Sequence, residues 1–121
     1  MGARYKQVGG FSSLRPAPDA PRPVEGDVAE EYRQEALQGE ATRVLLVDDA
    51  PQDLDWVFVS PAGSSGAWAP GERTGTYRVG GEVALFDADG GSHISGGDFA
   101  AAVVDEIETP AHHREHIGVA N

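Results

Sequence analysis

The run Trp56-Val57-Phe58-Val59, opening at Asp55, constrains this chain more than any other stretch. Its apolar residues are continuous rather than alternating. A strand of that kind is buried on both faces, as in a parallel sheet with helices above and below it. It halts at Ser60-Pro61 and opens into a loop rich in Gly, Ser and Pro that reaches Thr76. Open parallel sheets place their ligands beyond the carboxyl ends of the strands, so this loop has the form of a ligand-binding edge. The glycine turn that grips phosphate after the first strand of such a sheet has no counterpart upstream. Residues 1–14 read as a short strand and a loop, and residues 15–26 as a proline-rich loop. The pattern predicts one α/β domain over residues 1–121, the back portion of a doubly wound parallel sheet.

Asp27-Val28-Ala29-Glu30 has capping-box spacing and predicts a helix running to about Leu46. Tyr32, Ala36, Leu37, Ala41, Val44 and Leu45 recur at helical intervals and predict its buried stripe. Thr76–Val79 and Glu82–Phe86 flank Gly80-Gly81, which predicts a β-hairpin. Ser95-Gly96-Gly97-Asp98 predicts the start of a second helix, with Phe99, Ala102, Val103 and Ile107 facing the core and Pro110 beyond its end. Residues 117–120 read as a last short strand.

Twenty acidic residues against nine basic ones give a formal charge of −11, which opposes binding to nucleic acid or to an anionic membrane surface. Local backbone N–H groups can still hold a phosphate against that field. With no cysteine, disulfides, thiolate metal sites and a cysteine nucleophile are excluded. No apolar run approaches a membrane span, so the expectation is a soluble, cytoplasmic protein without a membrane partner.

The order of helix, strand ending Ser60-Pro61, the stretch from Pro70 to Arg78, and Ile94-Ser95-Gly96-Gly97-Asp98-Phe99-Ala100 before a helix resembles the atypical short-chain dehydrogenase/reductases. The likeness is to the C-terminal half of their NAD(P)H-binding branch, which includes NmrA-like and biliverdin/flavin-reductase-like proteins. Val8-Gly9-Gly10-Phe11-Ser12-Ser13-Leu14 resembles the loop after the strand that precedes this helix. The resemblance implies a partial Rossmann-like fold with a β-hairpin insertion and an NAD(P)-dependent oxidoreductase or epimerase that binds NADP or NAD. It implies that Gly9, Gly10 and Ser13 line the cofactor cleft and that Ser60, Pro61 and Ala62 face the nicotinamide. A small-molecule substrate would then lie under the loop carrying Trp68, Arg73 and Tyr77. Tyr32 is the candidate for a catalytic tyrosine, but Ala36 stands where a pKa-lowering lysine belongs. No Gly-x-x-Gly-x-x-Gly turn is present, which implies an N-terminally shortened relative with reduced cofactor affinity. The alternative is a non-catalytic remnant or regulatory subunit that completes its sheet with another chain, or self-associates through an unpaired edge.

Other motifs fit their chemistry poorly. Ser64 and Ser65 lack the spacing of a nucleophile elbow. Asp87 and Asp89 lead into Gly91 and Ser92 where a calcium loop needs other residues. His112, His113 and His116 read as a solvated turn sensitive to mild acid, in preference to a metal site.

Overall fold

A computed structural model describes residues 4–26, 30–63, 75–88 and 90–121. Four strands form one sheet: β1 (Arg4–Val8), β2 (Asp55–Ser60), β3 (Arg78–Gly80) and β4 (Glu115–Ala120), in the order β1-β2-β4-β3. β1, β2 and β4 are parallel, and β3 runs antiparallel to β4. Helices α1 (Glu30–Asp49) and α2 (Gly96–Glu108) connect the parallel strands, and short 3-10 turns lie at Phe11–Ser13 and Pro23–Glu25.

The continuous apolar run is buried on both faces. Val57 and Val59 join Ala62, Ile94, Ala102, Ile117, Val119 and Ala120 in a core on the α2 side. Trp56 and Phe58 point the other way, against Leu46 of α1. β4 is equally continuous in burial from Ile117 to Ala120, which fits its place between β2 and β3. Arg114, in the left-handed region at φ 55°, aims its guanidinium at the carbonyls of Pro51 (2.8 Å) and Leu54, while its N–H donates to the Trp56 carbonyl at 2.7 Å. This one residue ties together the starts of β2 and β4.

Several expectations need correction. The helix at Glu30 runs on to Asp49, and Asp27 of the expected capping box lies outside the described residues. Its stripe does not face the sheet: Leu37, Val44 and Leu45 are exposed, and the buried residue is Leu46. The reason is that α1 meets the sheet only near its carboxyl end, while its earlier turns stand over the 3-10 turns and an open cleft. Gly80-Gly81 does not close a hairpin. β3 pairs with β4, and the chain after Gly81 runs beside Arg15, whose N–H donates to Glu82 O and whose carbonyl accepts from Ala84 N, both at 2.7 Å. The backbone of Glu82–Ala84 that would form the second arm of a hairpin is taken by Arg15 instead.

α2 begins as its sequence predicts. The Ser95 hydroxyl accepts from the Asp98 N–H at 3.0 Å, while the buried Asp98 carboxylate accepts from Gly75 N–H (2.9 Å) and the Asn121 amide (2.6 Å). Phe99, Ala102 and Val103 pack on the core, whereas Ile107 is exposed and the buried neighbour is Glu106. Glu106 is retained inside because it accepts from the N–H groups of Ala111 and His112 and meets the His112 ring at 2.7 Å. Burial alone would raise its carboxyl pKa, but these hydrogen bonds outweigh burial and hold it below the ordinary value.

Candidate functional site

A cleft of about 890 Å³ opens where β1 ends. Val8, Gly9 and Gly10, the turn Phe11–Ser13, Gly63 beyond β2, and Tyr32, Glu35, Gly39 and Thr42 of α1 line it. Its size lies within the range of about 300–1,000 Å³ usual for small-molecule sites. Gly9 has a steric reason to be glycine. Its N–H extends the β1–β2 ladder to Val59 O at 2.8 Å, and a Cβ there would run into the Phe58 ring. Glycine at this position therefore makes room for the Phe58 ring packed against it. Glu35 gives the wall a carboxylate, which favours hydroxyl and amide donors over phosphate.

Behind the floor lies a polar assembly, buried at Ser13, Arg22 and Ser60 and open to water at Glu82. Ser60, at the end of β2, is fully buried and its Oγ lies 2.9 Å from His116 Nε2 of β4. The imidazole stands edge-on to Phe58, with ring centroids 5.1 Å apart. Burial, followed by the positive charges of Arg43 and Arg22, pushes the His116 pKa down to about 4, so the ring is neutral at pH 7. Its Nδ1 is buried without a hydrogen-bond partner among the described residues. Arg22 donates to Ser13 O at 2.8 Å and pairs with Glu82. Arg43 forms a two-pronged pair with Glu40 at 2.7 Å. Burial would raise the Glu40 carboxyl, but hydrogen bonds from Arg43 and Ser13 hold it below its ordinary range.

The structure brings Gly9, Gly10, Ser13 and Tyr32 to one cleft. Ser60 is buried against His116 and Ala62 in the α2-side core, and Pro61 is half-buried, so the cleft receives the end of β2 through Gly63 instead. Trp68 and Arg73 lie outside the described residues. Tyr77 sits apart from the cleft, in a smaller cavity of about 230 Å³ on the α2 side that also touches Asp105, Glu106 and His112. Its hydroxyl donates to Asp105 at 2.6 Å, and that hydrogen bond, with some burial, pushes its pKa up to about 12. The three C-terminal histidines diverge: His112 meets Glu106, His113 meets Asp55 at 3.0 Å, and His116 meets Ser60. The expectation that His116 sits in a solvated turn is corrected, since it lies within β4 against Ser60, and sequence reasoning missed Arg22, Glu40, Arg43 and Glu82 as site residues. His116 carries one local signal, its place directly before the apolar run from Ile117; Glu40 and Arg43 carry another, the i,i+3 spacing of a helical ion pair, whereas Arg22 and Glu82 are 60 residues apart and carry none.

No protein-family model matches the chain. It is 38% identical over 84 residues to the Bacillus subtilis protein YwnB, itself uncharacterized, a match that takes in 69% of this chain and 37% of YwnB. A Bacteroides thetaiotaomicron structure provisionally named an epimerase superposes with TM-score 0.83 at 38% identity, covering 97% of this chain and 52% of that one. A Streptococcus pneumoniae structure provisionally named an NADH-flavin reductase gives TM-score 0.84 at 33% identity, with 98% and 55% covered. The fold is Rossmann-like, and partial. The chain spans about half the length of these solved relatives. In a Rossmann-like sheet the carboxyl ends of the strands carry the ligand, and the cleft at Val8–Ser13 occupies that position. Among the described residues no helix is long and apolar enough to cross a membrane, and a Burkholderia pseudomallei structure with TM-score 0.80 is provisionally named an exported protein.

Proposed function

We propose that this chain supplies the nicotinamide-side half of an NAD(P)-dependent oxidoreductase of the atypical short-chain dehydrogenase/reductase kind. The observation that carries the reading is the cleft at the carboxyl end of β1, floored by glycine backbone and lined by the Ser12 and Ser13 segment. The name of the pneumococcal relative, an NADH-flavin reductase, supports the cofactor class.

The lining fits the uncharged end of a dinucleotide better than its pyrophosphate. Gly10 leaves backbone open to a flat ring, the lining includes Ser12, Thr42 and Tyr32, and Glu35, the charged wall residue among those described, repels phosphate. A bound nicotinamide nucleotide would supply the hydride. This chain's part is to orient the ring and keep water from it. Tyr32 is the proton donor candidate by its place in the lining, though with Ala36 one turn on it has no lysine to ease proton release. Reduced nicotinamide is a cytoplasmic currency, and we place the protein there.

Calorimetric titration of the 121-residue chain with NADH and NADPH tests the reading. Saturable binding below millimolar, lost in Ala36→Trp, which plugs the cleft from α1, is the expected result. No heat of binding up to millimolar, or binding that Ala36→Trp leaves intact, overturns it.

A further inference from the structure

We infer that the cavity of about 230 Å³ on the α2 side is a second binding site, one that takes a primary amine carried on a small apolar body, with the ammonium at Asp105 and the body against Val59, Ile117 and Val119. The inference goes beyond the oxidoreductase reading and stands apart from it. This cavity and the cleft at β1 share no lining residue, and α2 walls the one where α1 walls the other.

Protein interiors leave few voids larger than a water molecule, and an apolar cavity of about 150 Å³ already admits benzene. The space under α2 is larger than that, and its lining has two parts. Val59, Ala102, Ile117 and Val119, all buried members of the α2-side core, give it apolar walls. The polar part comes as two pairs: the Tyr77 hydroxyl donates to Asp105 at 2.6 Å, and the His112 ring meets Glu106 at 2.7 Å.

The charges of those pairs select the ligand. The lining holds two carboxylates and, among its described residues, neither lysine nor arginine. His112 is the basic group present, and its Nδ1 is committed to Glu106. Glu106 is itself fully engaged, because it also accepts from the N–H groups of Ala111 and His112. Asp105 differs: it is exposed, and only its Oδ2 is taken by Tyr77, so that Oδ1 has no hydrogen bond among the described residues. The Tyr77 phenol registers the negative field, its pKa pushed up to about 12 by the hydrogen bond to Asp105, then by burial and the charges of Asp105 and Glu106. Carboxylates and phosphates are repelled by such a lining, whereas an ammonium gains a charge-assisted hydrogen bond at Asp105 Oδ1. A bare metal ion is the poorer occupant, since no three metal-ligating side chains come together among the described residues. An organic ammonium uses both parts of the lining, the charge at Asp105 and the apolar body against the core.

The test titrates the 15N-labelled 121-residue chain with benzylamine, benzyl alcohol and benzoate, which share one ring and differ in charge, and follows the backbone amides by NMR. Benzylamine should give saturable shifts at Tyr77, Asp105, Ala111 and Val119, with an affinity about tenfold above that of benzyl alcohol, and benzoate should give none. Asp105→Asn, at an exposed position, should bring benzylamine down to the affinity of the alcohol and leave the alcohol unchanged. Ala102→Leu, which fills the cavity from α2, should abolish both at unchanged circular dichroism. Equal affinities for amine and alcohol, amine binding that Asp105→Asn leaves intact, or shifts scattered over the acidic surface without preference for this lining would each overturn the inference. The absence of any shift up to tens of millimolar benzylamine would do the same.

Discussion

Acid should weaken this fold through His116 in particular, and His116→Gln isolates the effect. The imidazole pKa falls from 6.5 to about 4 on folding, because burial disfavours the cation and Arg43 and Arg22 add repulsion. Glu40 and Glu82 pull the other way and do not prevail. Between those two values the unfolded chain binds the proton that the folded chain refuses. Stability is therefore fully kept above about pH 6.5 and lost as the pH falls towards 4. Integrated down to pH 5, the loss is about 2 kcal/mol. Glutamine keeps a polar end near Ser60 and cannot take up that proton. Urea unfolding followed by the fluorescence of Trp56, 3% exposed in the fold, gives the comparison at pH 7 and pH 5. The wild-type midpoint should fall by about 1 M more than that of the variant, given a slope of about 1–3 kcal/mol per molar urea. Parallel losses in the two proteins would mean that the imidazole is neither buried nor neutral, and the account of the Ser60–His116 pair would fail.

Other outcomes follow from single contacts. Gly9→Ala drives a methyl into the Phe58 ring and should cost about 1–3 kcal/mol by thermal unfolding; an unchanged midpoint would show that the ring has room to move. Ser95→Ala removes the hydroxyl that accepts from Asp98 N–H and should cost about 1 kcal/mol, with a stability change within error counting against that cap. Glu106→Gln keeps the volume but weakens the grip on the Ala111 and His112 amides. Hydrogen exchange should quicken at those two amides before anywhere else, and uniform exchange across the chain would contradict this. Tyr77→Phe frees Asp105 and should leave nicotinamide nucleotide affinity within twofold, since Tyr77 lies on the α2 side; a large loss would place the ligand in the smaller cavity.

What was legible in the sequence follows from the range of the interactions. The strand at Trp56–Val59, the cap at Ser95 and the strand at Ile117–Ala120 are specified by neighbours a few residues apart, and each forms where its pattern predicts. The hairpin at Gly80-Gly81 was a sound local inference overruled by a distant segment, because Arg15 claims the backbone of Glu82 and Ala84. Leu37 and Val44 follow a helical period that does not say what the apolar side will meet, and no described layer covers it. Gly9, Gly10, Ser13 and Tyr32 share one cleft, because the turn after β1 lies beneath the early turns of α1. In the polar assembly behind them the Glu40–Arg43 pair keeps a helical spacing, but Arg22–Glu82 and Ser60–His116 span 60 and 56 residues, and separations of that order leave no periodic trace.

The place of β4 bears on how the molecule comes into being. It is the last of the four strands along the chain yet stands between β2 and β3. As the polypeptide leaves the ribosome, β1 can find β2, but β3 has no strand to join until Glu115–Ala120 has emerged. His116 also arrives late, so Ser60 waits with its hydroxyl unclaimed. Nascent chains shorter than this should expose the apolar flank of β2 to chaperones, and maturation should be governed by delivery of the final strand more than by formation of either helix.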